Sequence, residues 1–220
     1  MNKAEHLINS NLPQLSKTAS SASVLQLMDE WRVTELPLVE DGIYMGLLSE
    51  TALLDVELVE AELGNQVLDL KDVRVLPNAH VLDVLEIASK AVASVVPVVS
   101  EKGEYLGAIT MENLIHRLSF MLGANQEGGI IVLEISERDH SIQQVARIIE
   151  ENGAKILSLS VSPTGAQMLE LHVKVSVPDL NPILQSLSRF GYTVSDQFQD
   201  EDFNNELKDR YDELMRYLNI

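Results

Sequence analysis

Residues 35–50 read ELPLVEDGIYMGLLSE, and residues 95–110 read VVPVVSEKGEYLGAIT. Each stretch holds an apolar run with a proline, then a polar turn, then a second apolar run that contains a glycine. Pro37 and Pro97 are sixty positions apart, and Gly46 and Gly107 are sixty-one apart. An internal repeat of this length indicates two copies of one structural unit that pack together.

The repetition extends to both sides of these stretches. The preceding residues, TASSASVLQLM from Thr18 and NAHVLDVLEIA from Asn78, carry apolar side chains at helical spacing behind polar residues that can cap a helix. The prolines predict strands that begin at proline, where a missing N–H is harmless, and EDG and EKG predict tight turns. A second helix is predicted from Thr51 and from Met111. Each unit therefore reads helix, strand, turn, strand, helix.

The composition excludes several classes of protein. The 220 residues include 34 acidic and 16 basic side chains, for a formal charge of −18, which disfavours nucleic acid and anionic membrane surfaces as partners. There are no cysteines, and the sequence shows neither a secretory signal nor an apolar run long enough to span a bilayer. We expect a cytoplasmic protein.

The repeated units resemble a tandem pair of cystathionine-β-synthase-like (CBS) domains, each with the order β-α-β-β-α. The resemblance places the pair within residues 1–122, with repeats at about 7–62 and 67–120. It implies two clefts related by a pseudo-twofold axis. In this family such clefts often hold adenosine nucleotides or related adenosyl compounds such as S-adenosylmethionine, which would act here as regulatory ligands rather than cofactors.

The resemblance also assigns ligand-binding positions. The family pattern after the glycine is G-x-[IV]-[ST]-x-x-D, in which the hydroxyl and the aspartate face the nucleotide and the aspartate accepts hydrogen bonds from the ribose. The second repeat places Thr110 and Asn113 at these positions, and the first places Ser49 and Ala52. Asparagine keeps an acceptor oxygen, but alanine has none.

Each cleft is closed, on the family pattern, by residues from the other repeat. Val33 and Thr34 close the cleft of Thr110 and Asn113, which we call the Thr110 cleft. Ala93 and Ser94 close the cleft of Ser49 and Ala52, which we call the Ser49 cleft. The Thr110 cleft is the better candidate for a ligand. The alternative is that both clefts are apolar and purely structural.

The second half of the chain has a different pattern. Residues 123–129, GANQEGG, predict a linker, and residues 130–199 predict strands and helices in the ferredoxin-like order βαββαβ. Ser141 to Gly153 predicts the first helix and Pro178 to Phe190 the second. The fold class is therefore α/β, more specifically α+β.

With a CBS pair ahead of it, this half resembles an ACT domain, a regulatory module that usually pairs side by side and often binds amino acids. The resemblance places the ligand turn at Asp139, His140 and Ser141, although the Asp-x-Pro-Gly of the family is absent. The whole arrangement resembles the acetoin-utilisation family of bacterial CBS–ACT regulatory proteins. Residues 200–220 predict a C-terminal amphipathic helix that packs on its own chain or on a partner.

No catalytic motif or metal-binding cluster stands out in the sequence, so we expect a protein that is not an enzyme and holds no metal. Two functions remain open. One is a regulatory sensor whose CBS pair binds a small ligand, preferably an adenosine derivative, and couples it to domain or subunit packing. The other is an assembly protein with vestigial clefts that acts through dimerisation and protein partners. Both readings predict a homodimer, and neither identifies the downstream target.

Overall fold

The computed structural model describes residues 2–54, 62–65, 68–136, 141–165 and 167–199 of the chain. Two compact units divide the chain, Met1–Leu118 and Ser119–Ile220. The predicted C-terminal helix at 200–220 lies outside the described residues. Both units combine helices with antiparallel sheets, which confirms the predicted α+β class.

The first unit contains the two repeats, and their helices and strands follow the predicted order. The first repeat consists of α1 (Ser21–Trp31), β1 (Glu35–Glu40), β2 (Ile43–Ser49) and α2 (Glu50–Leu54). The second consists of β3 (Leu70–Lys71), α3 (Val81–Ala91), β4 (Val95–Val99), β5 (Tyr105–Thr110) and α4 (Met111–Met121). Two short 3-10 helices occur at Ala4–His6 and Leu63–Asn65.

The predicted helix starts are set by polar caps. The Ser20 side chain accepts a hydrogen bond from the Ser23 N–H at the start of α1. His80 caps α3, and the Asp83 carboxylate accepts a bond from the His80 N–H in return. Such caps satisfy backbone N–H groups that have no partner within the helix.

We call the residues before the first long helix of each repeat its leading segment, which is 2–15 in the first repeat and 68–75 in the second. The leading segment of each repeat covers the other repeat. Ile8 lies over Gly107 in β5, and Leu70 lies over Gly46 in β2. A Cβ atom added to Gly46 would lie 2.7 Å from the Leu70 Cβ, and one added to Gly107 would overlap Ile8. The repeated glycines therefore permit a close crossing of the two repeats.

The two prolines lie inside their strands. Pro37 and Pro97 are the third residues of β1 and β4, so the prediction that each strand begins at its proline is wrong. The Pro37 carbonyl accepts a bond from the Leu15 N–H at 2.8 Å, and the Leu15 carbonyl accepts one from the Val39 N–H at 2.9 Å. These two bonds form a parallel bridge between Leu15 and β1, and this bridge uses the carbonyl of Pro37 but not its nitrogen. The missing N–H of the proline therefore interrupts no pairing.

The core of the first unit joins both repeats. Val24 and Met28 of α1 pack with strand residues from each repeat in one cluster of buried side chains. The strand residues of this cluster are Leu36, Leu38, Leu47, Leu48, Val95 and Ala108. A single repeat would leave apolar side chains of this cluster exposed, so burial of apolar surface holds the pair together.

The second unit is the predicted ferredoxin-like arrangement. Its elements are β6 (Ile130–Ser136), α5 (Ile142–Glu151), β7 (Ile156–Gly165), β8 (Met168–Val175), α6 (Asn181–Arg189) and β9 (Thr193–Phe198). The strands form one antiparallel sheet in the order β7-β8-β6-β9. This confirms the βαββαβ prediction for the fold of this half.

Alternate residues of the central strands face the two helices. Leu133, Leu171 and Val173 are buried with Ile149 of α5 and Leu187 of α6. The alternating pattern is the one expected when helices cover a single face of a sheet. The predicted linker at 123–129 is bound at its end, because the Gly129 N–H donates to the Val177 carbonyl and the Gly129 carbonyl accepts from the Val175 N–H.

Candidate functional site

Thr110 and Ser49 occupy the same position in the two repeats, at the end of a strand and just before a helix. The Thr110 Oγ1 accepts a hydrogen bond from the Asn113 N–H at 3.3 Å, and the Ser49 Oγ accepts one from the Ala52 N–H at 3.3 Å. Each hydroxyl therefore caps the first turn of its helix. The Thr110 hydroxyl can donate its own proton to a further partner, whereas the Ser49 hydroxyl already shares a hydrogen bond with the Thr51 hydroxyl at 3.0 Å.

Asn113 fixes the first leading segment to the second repeat. Its side-chain amide nitrogen donates to the Leu7 carbonyl at 3.0 Å, and the Asn9 N–H donates to the Ala108 carbonyl at 2.8 Å. An aspartate at position 113 could not donate this bond, which gives a structural reason for asparagine here. The bond orients the amide and leaves its oxygen as the remaining acceptor.

Val33 and Thr34 line a cavity of about 300 Å³ beside α1. The other residues of its wall are Leu25, Met28, Asp29, Arg32 and Glu50. The Thr34 carbonyl accepts from the Glu50 N–H at 2.9 Å, and the Thr34 N–H donates to the Ser94 Oγ at 3.1 Å. Among the described residues, no hydrogen bond joins Thr34 to Thr110 or Asn113, its predicted companions in the Thr110 cleft.

Ala93 and Ser94 lie between α3 and β4, and Ala93 is buried. Ser94 contacts the first repeat through Thr34 and through the carboxylate of Glu35, which accepts from the Ser94 N–H at 2.8 Å. The structure thus brings Ser94 to the start of β1, whose first residue, Glu35, pairs in register with Ser49. The predicted members of the Ser49 cleft are therefore connected through Glu35.

Glu35 is a residue of this region that the sequence analysis missed. Only 2% of its side chain is exposed, and its other carboxylate oxygen accepts from the Lys71 Nζ at 2.7 Å. Its counterpart in the second repeat is Val95, which begins β4 and pairs with Thr110. The available signal was an acid at the start of an apolar run, at a position where the other repeat has valine.

The turn predicted to bind a ligand in the second unit is described only in part. Asp139 and His140 lie outside the described residues. Ser141 caps α5, because its side chain accepts a hydrogen bond from the Gln144 N–H at 3.2 Å. The Tyr192 hydroxyl donates to the Gln144 side-chain oxygen at 3.0 Å, which ties this helix start to the segment before β9.

Two features are absent from the described residues. Within these ranges, no group of three or more His, Cys, Asp or Glu side chains is placed to hold a metal ion. No helix in the part of the chain that the structure describes is long and apolar enough to cross a membrane.

Comparison with known proteins assigns a family to the repeats. Residues 4–58 and 67–119 match the family model of the CBS domain. Among solved structures, the chain is similar to a CBS domain pair/ACT domain protein from Thermotoga maritima, with 20% identity, a TM-score of 0.47, and coverage of 53% of this chain and 95% of that one.

Two further solved structures are similar over the same share of the chain. A putative acetoin utilization protein from Vibrio cholerae is 21% identical, with a TM-score of 0.48 and coverage of 57% of this chain and 96% of that one. A protein named CBSX2, solved in complex with AMP, is 19% identical, with a TM-score of 0.46 and coverage of 54% of this chain and 96% of that one.

Proposed function

Because residues 4–58 and 67–119 of this chain belong to the CBS domain family, we propose that the protein is a non-catalytic sensor of an adenosine derivative. Members of this family are regulatory, nucleotide-binding modules. The ligand binds in the Thr110 cleft, where Thr110 and Asn113 supply its polar contacts. AMP, ADP, ATP and S-adenosylmethionine share the adenosyl group that this cleft would recognise.

The observation that supports this choice of cleft is that no charged side chain stands opposite Thr110. Thr110 pairs in register with Val95, which is uncharged and buried in the core. The Asn113 amide, held by the Leu7 carbonyl, keeps an oxygen for a ribose hydroxyl. A hydroxyl that can donate and an amide oxygen that can accept suit the hydroxyl groups of a sugar.

Regulation follows from the position of the ligand. Asn113 is bonded to the first leading segment, and Thr110 begins a helix of the second repeat. A ligand at these residues changes the balance between two packings of the repeats only if it binds one of them more tightly. We propose that this difference is transmitted to domain or subunit packing in a homodimer.

The first test is a thermal-shift screen of the full chain against AMP, ADP, ATP, S-adenosylmethionine and the twenty amino acids. A ligand at a hundredfold its dissociation constant adds about 2.7 kcal/mol of stability. The expected result is a shift with an adenosyl compound. A shift with an amino acid alone would move the site to the turn at Asp139, His140 and Ser141. A silent screen would contradict the sensor.

A pair of matched variants locates the ligand. Thr110→Val and Ser49→Ala each remove a helix cap at equivalent positions, so each should lower stability by about 1 kcal/mol. Only Thr110→Val should also weaken nucleotide binding, by roughly tenfold for one lost hydrogen bond. Equal nucleotide affinities in the two variants would contradict the assignment of the binding site to the Thr110 cleft.

Assembly is the second candidate function, and one observation favours it. Large apolar side chains are exposed on α3 and α4, with Leu82 at 49%, Leu85 at 39% and Ile115 at 63%. Exposed apolar side chains of this size are common at surfaces that bind another protein. Sedimentation at micromolar concentration should show a dimer, which both candidate functions predict, and a monomer would contradict both.

A further inference from the structure

The two repeats differ in character at one buried position. Glu35 begins β1 and pairs in register with Ser49, whereas Val95 begins β4 and pairs with Thr110. Both are buried, with 2% and 0% exposure. The same place in the repeat therefore holds a carboxylate beside the Ser49 cleft and an apolar side chain beside the Thr110 cleft.

The Glu35 carboxylate is held by three donors. One oxygen accepts from the Ser94 N–H at 2.8 Å and from the Ser94 Oγ at 3.3 Å, and the other accepts from the Lys71 Nζ at 2.7 Å. A buried carboxylate is tolerated only when such donors replace its lost water. The three donors come from two segments outside β1, so the carboxylate ties the two repeats together.

These donors are the groups that an anionic ligand of the Ser49 cleft would need. Ser94 is one of the two residues that close this cleft on the family pattern, and its N–H and hydroxyl are both bonded to Glu35. Lys71, 42% exposed, is ion-paired to the same carboxylate. Glu35 therefore occupies, as an internal anion, the positions that a phosphate would take.

The second repeat has no such arrangement among the described residues. Lys71 pairs in register with Leu47, and the equivalent residue opposite Ala108 is Asn9, which carries no charge. With Val95 in place of Glu35, the Thr110 cleft contains neither the internal anion nor its lysine partner. Besides Ala52 in place of Asn113, the Ser49 cleft thus differs from the Thr110 cleft in an ion pair, formed by the residues at positions 35 and 71.

We propose that Glu35 determines which cleft binds: it closes the Ser49 cleft to nucleotides, so each chain binds one nucleotide, in the Thr110 cleft. This inference rests on the proposed function for the location of the bound nucleotide. It also assigns a role to Lys71, which binds the Glu35 carboxylate oxygen that Ser94 does not.

The test is the number of AMP molecules bound per full-length chain, measured by titration calorimetry. The double variant Glu35→Val with Lys71→Asn gives the Ser49 cleft the residues that the Thr110 cleft has at these two positions, Val95 and Asn9. The wild type should bind one AMP, and the double variant should bind two. Glu35→Gln keeps the shape but loses the charge, so it should also gain a second site, of lower affinity.

Thr110→Val, added to each protein, shows which cleft is filled. It should weaken the single site of the wild type by roughly tenfold and leave one unweakened site in the double variant. Thermal unfolding identifies variants that remain folded, and Glu35→Gln carries the test if the double variant unfolds.

Three results overturn the inference: two AMP molecules on the wild type, one on both folded variants, or no binding by any of the proteins. The last of these overturns the proposed function as well. A silent wild type with a double variant that binds AMP would support the closing role of Glu35 and overturn the proposed function alone. One bound AMP on the wild type and on every variant would support the proposed function and overturn the closing role of Glu35.

Discussion

Among the described non-glycine residues with positive φ, Val92 is the one whose side chain is branched at Cβ. It ends α3 with φ 49° and ψ 45°, in the left-handed region, and 84% of its surface is exposed. Its equivalent, Arg32, ends α1 with φ 52°. Helices commonly end in this conformation, but with glycine or asparagine, because a β-branched side chain is crowded there.

We predict that Val92→Asn stabilises the protein by about 1 kcal/mol, because asparagine tolerates the left-handed region. Unlike glycine, asparagine does not add conformational freedom to the unfolded chain. Urea unfolding measures the change. Arg32→Asn, at the matched helix end, should gain less because arginine is not branched at Cβ. A Val92→Asn protein no more stable than the wild type would contradict the assigned strain.

Some residues of the candidate site are predictable from the sequence, and others are not. The resemblance to the CBS family predicts Ser49 and Thr110 as ligand-binding residues, which stays a prediction, and the structure shows that both cap helices. The bond from Asn113 to Leu7 joins residues 106 positions apart, so no local pattern could reveal it. Glu35 was missed because periodicity predicts that a position is buried, but not which donors will surround a charge there.

At the scale of the elements, the central feature is the crossing of each leading segment over the other repeat. Gly107 has φ +135°, and a Cβ there would overlap Ile8. The helix–strand order and the second sheet follow from the sequence, because amphipathic periods and caps are local. The crossing does not, because it depends on contacts between distant segments.

We predict that Gly107→Ala lowers the free energy of unfolding by about 2–4 kcal/mol, from an unfavourable φ and an overlap in a packed region. Gly42→Ala is the matched control, since Gly42 has φ +79° and open space around its Cβ position, and it should lose only about 1–2 kcal/mol. Ile8→Ala should recover part of the Gly107→Ala loss. Equal losses at the two glycines would contradict the crossing.

The hairpins of the two repeats meet at a pair of tyrosines. The rings of Tyr44 and Tyr105 stack with centroids 6.5 Å apart. The Tyr44 hydroxyl donates to the Val73 carbonyl at 2.7 Å, whereas the buried Tyr105 hydroxyl has no partner among the described residues. Burial raises the pKa of both hydroxyls, that of Tyr105 to about 12.

A raised pKa means that the folded protein keeps a proton that the unfolded chain loses above pH 10. The contribution of the two tyrosines to stability should therefore be constant below pH 10 and fall as pH rises towards 12, by at most about 1.4 kcal/mol per pH unit for each tyrosine. Urea unfolding of Tyr105→Phe should show a smaller loss, with little change at neutral pH. Tyr44→Phe should also cost about 1 kcal/mol at neutral pH. An unchanged pH profile in both variants would contradict the burial of these hydroxyls.

The whole molecule consists of a CBS pair followed in the chain by a second unit with the ferredoxin-like order. The repeat predicts the pair from sequence, and the formal charge of −18 disfavours a nucleic acid as partner. The proposed difference between the two clefts depends on single residues at equivalent positions. The central claim is that a nucleotide binds at Thr110 and Asn113.

The most direct test is to titrate AMP into the ¹⁵N-labelled full chain and follow the backbone amide signals by NMR. We predict saturable shifts centred on residues 110–113, with little change at Ser49 and Ser94. Shifts centred on Ser49 and Ser94, or none that saturate, would contradict the account.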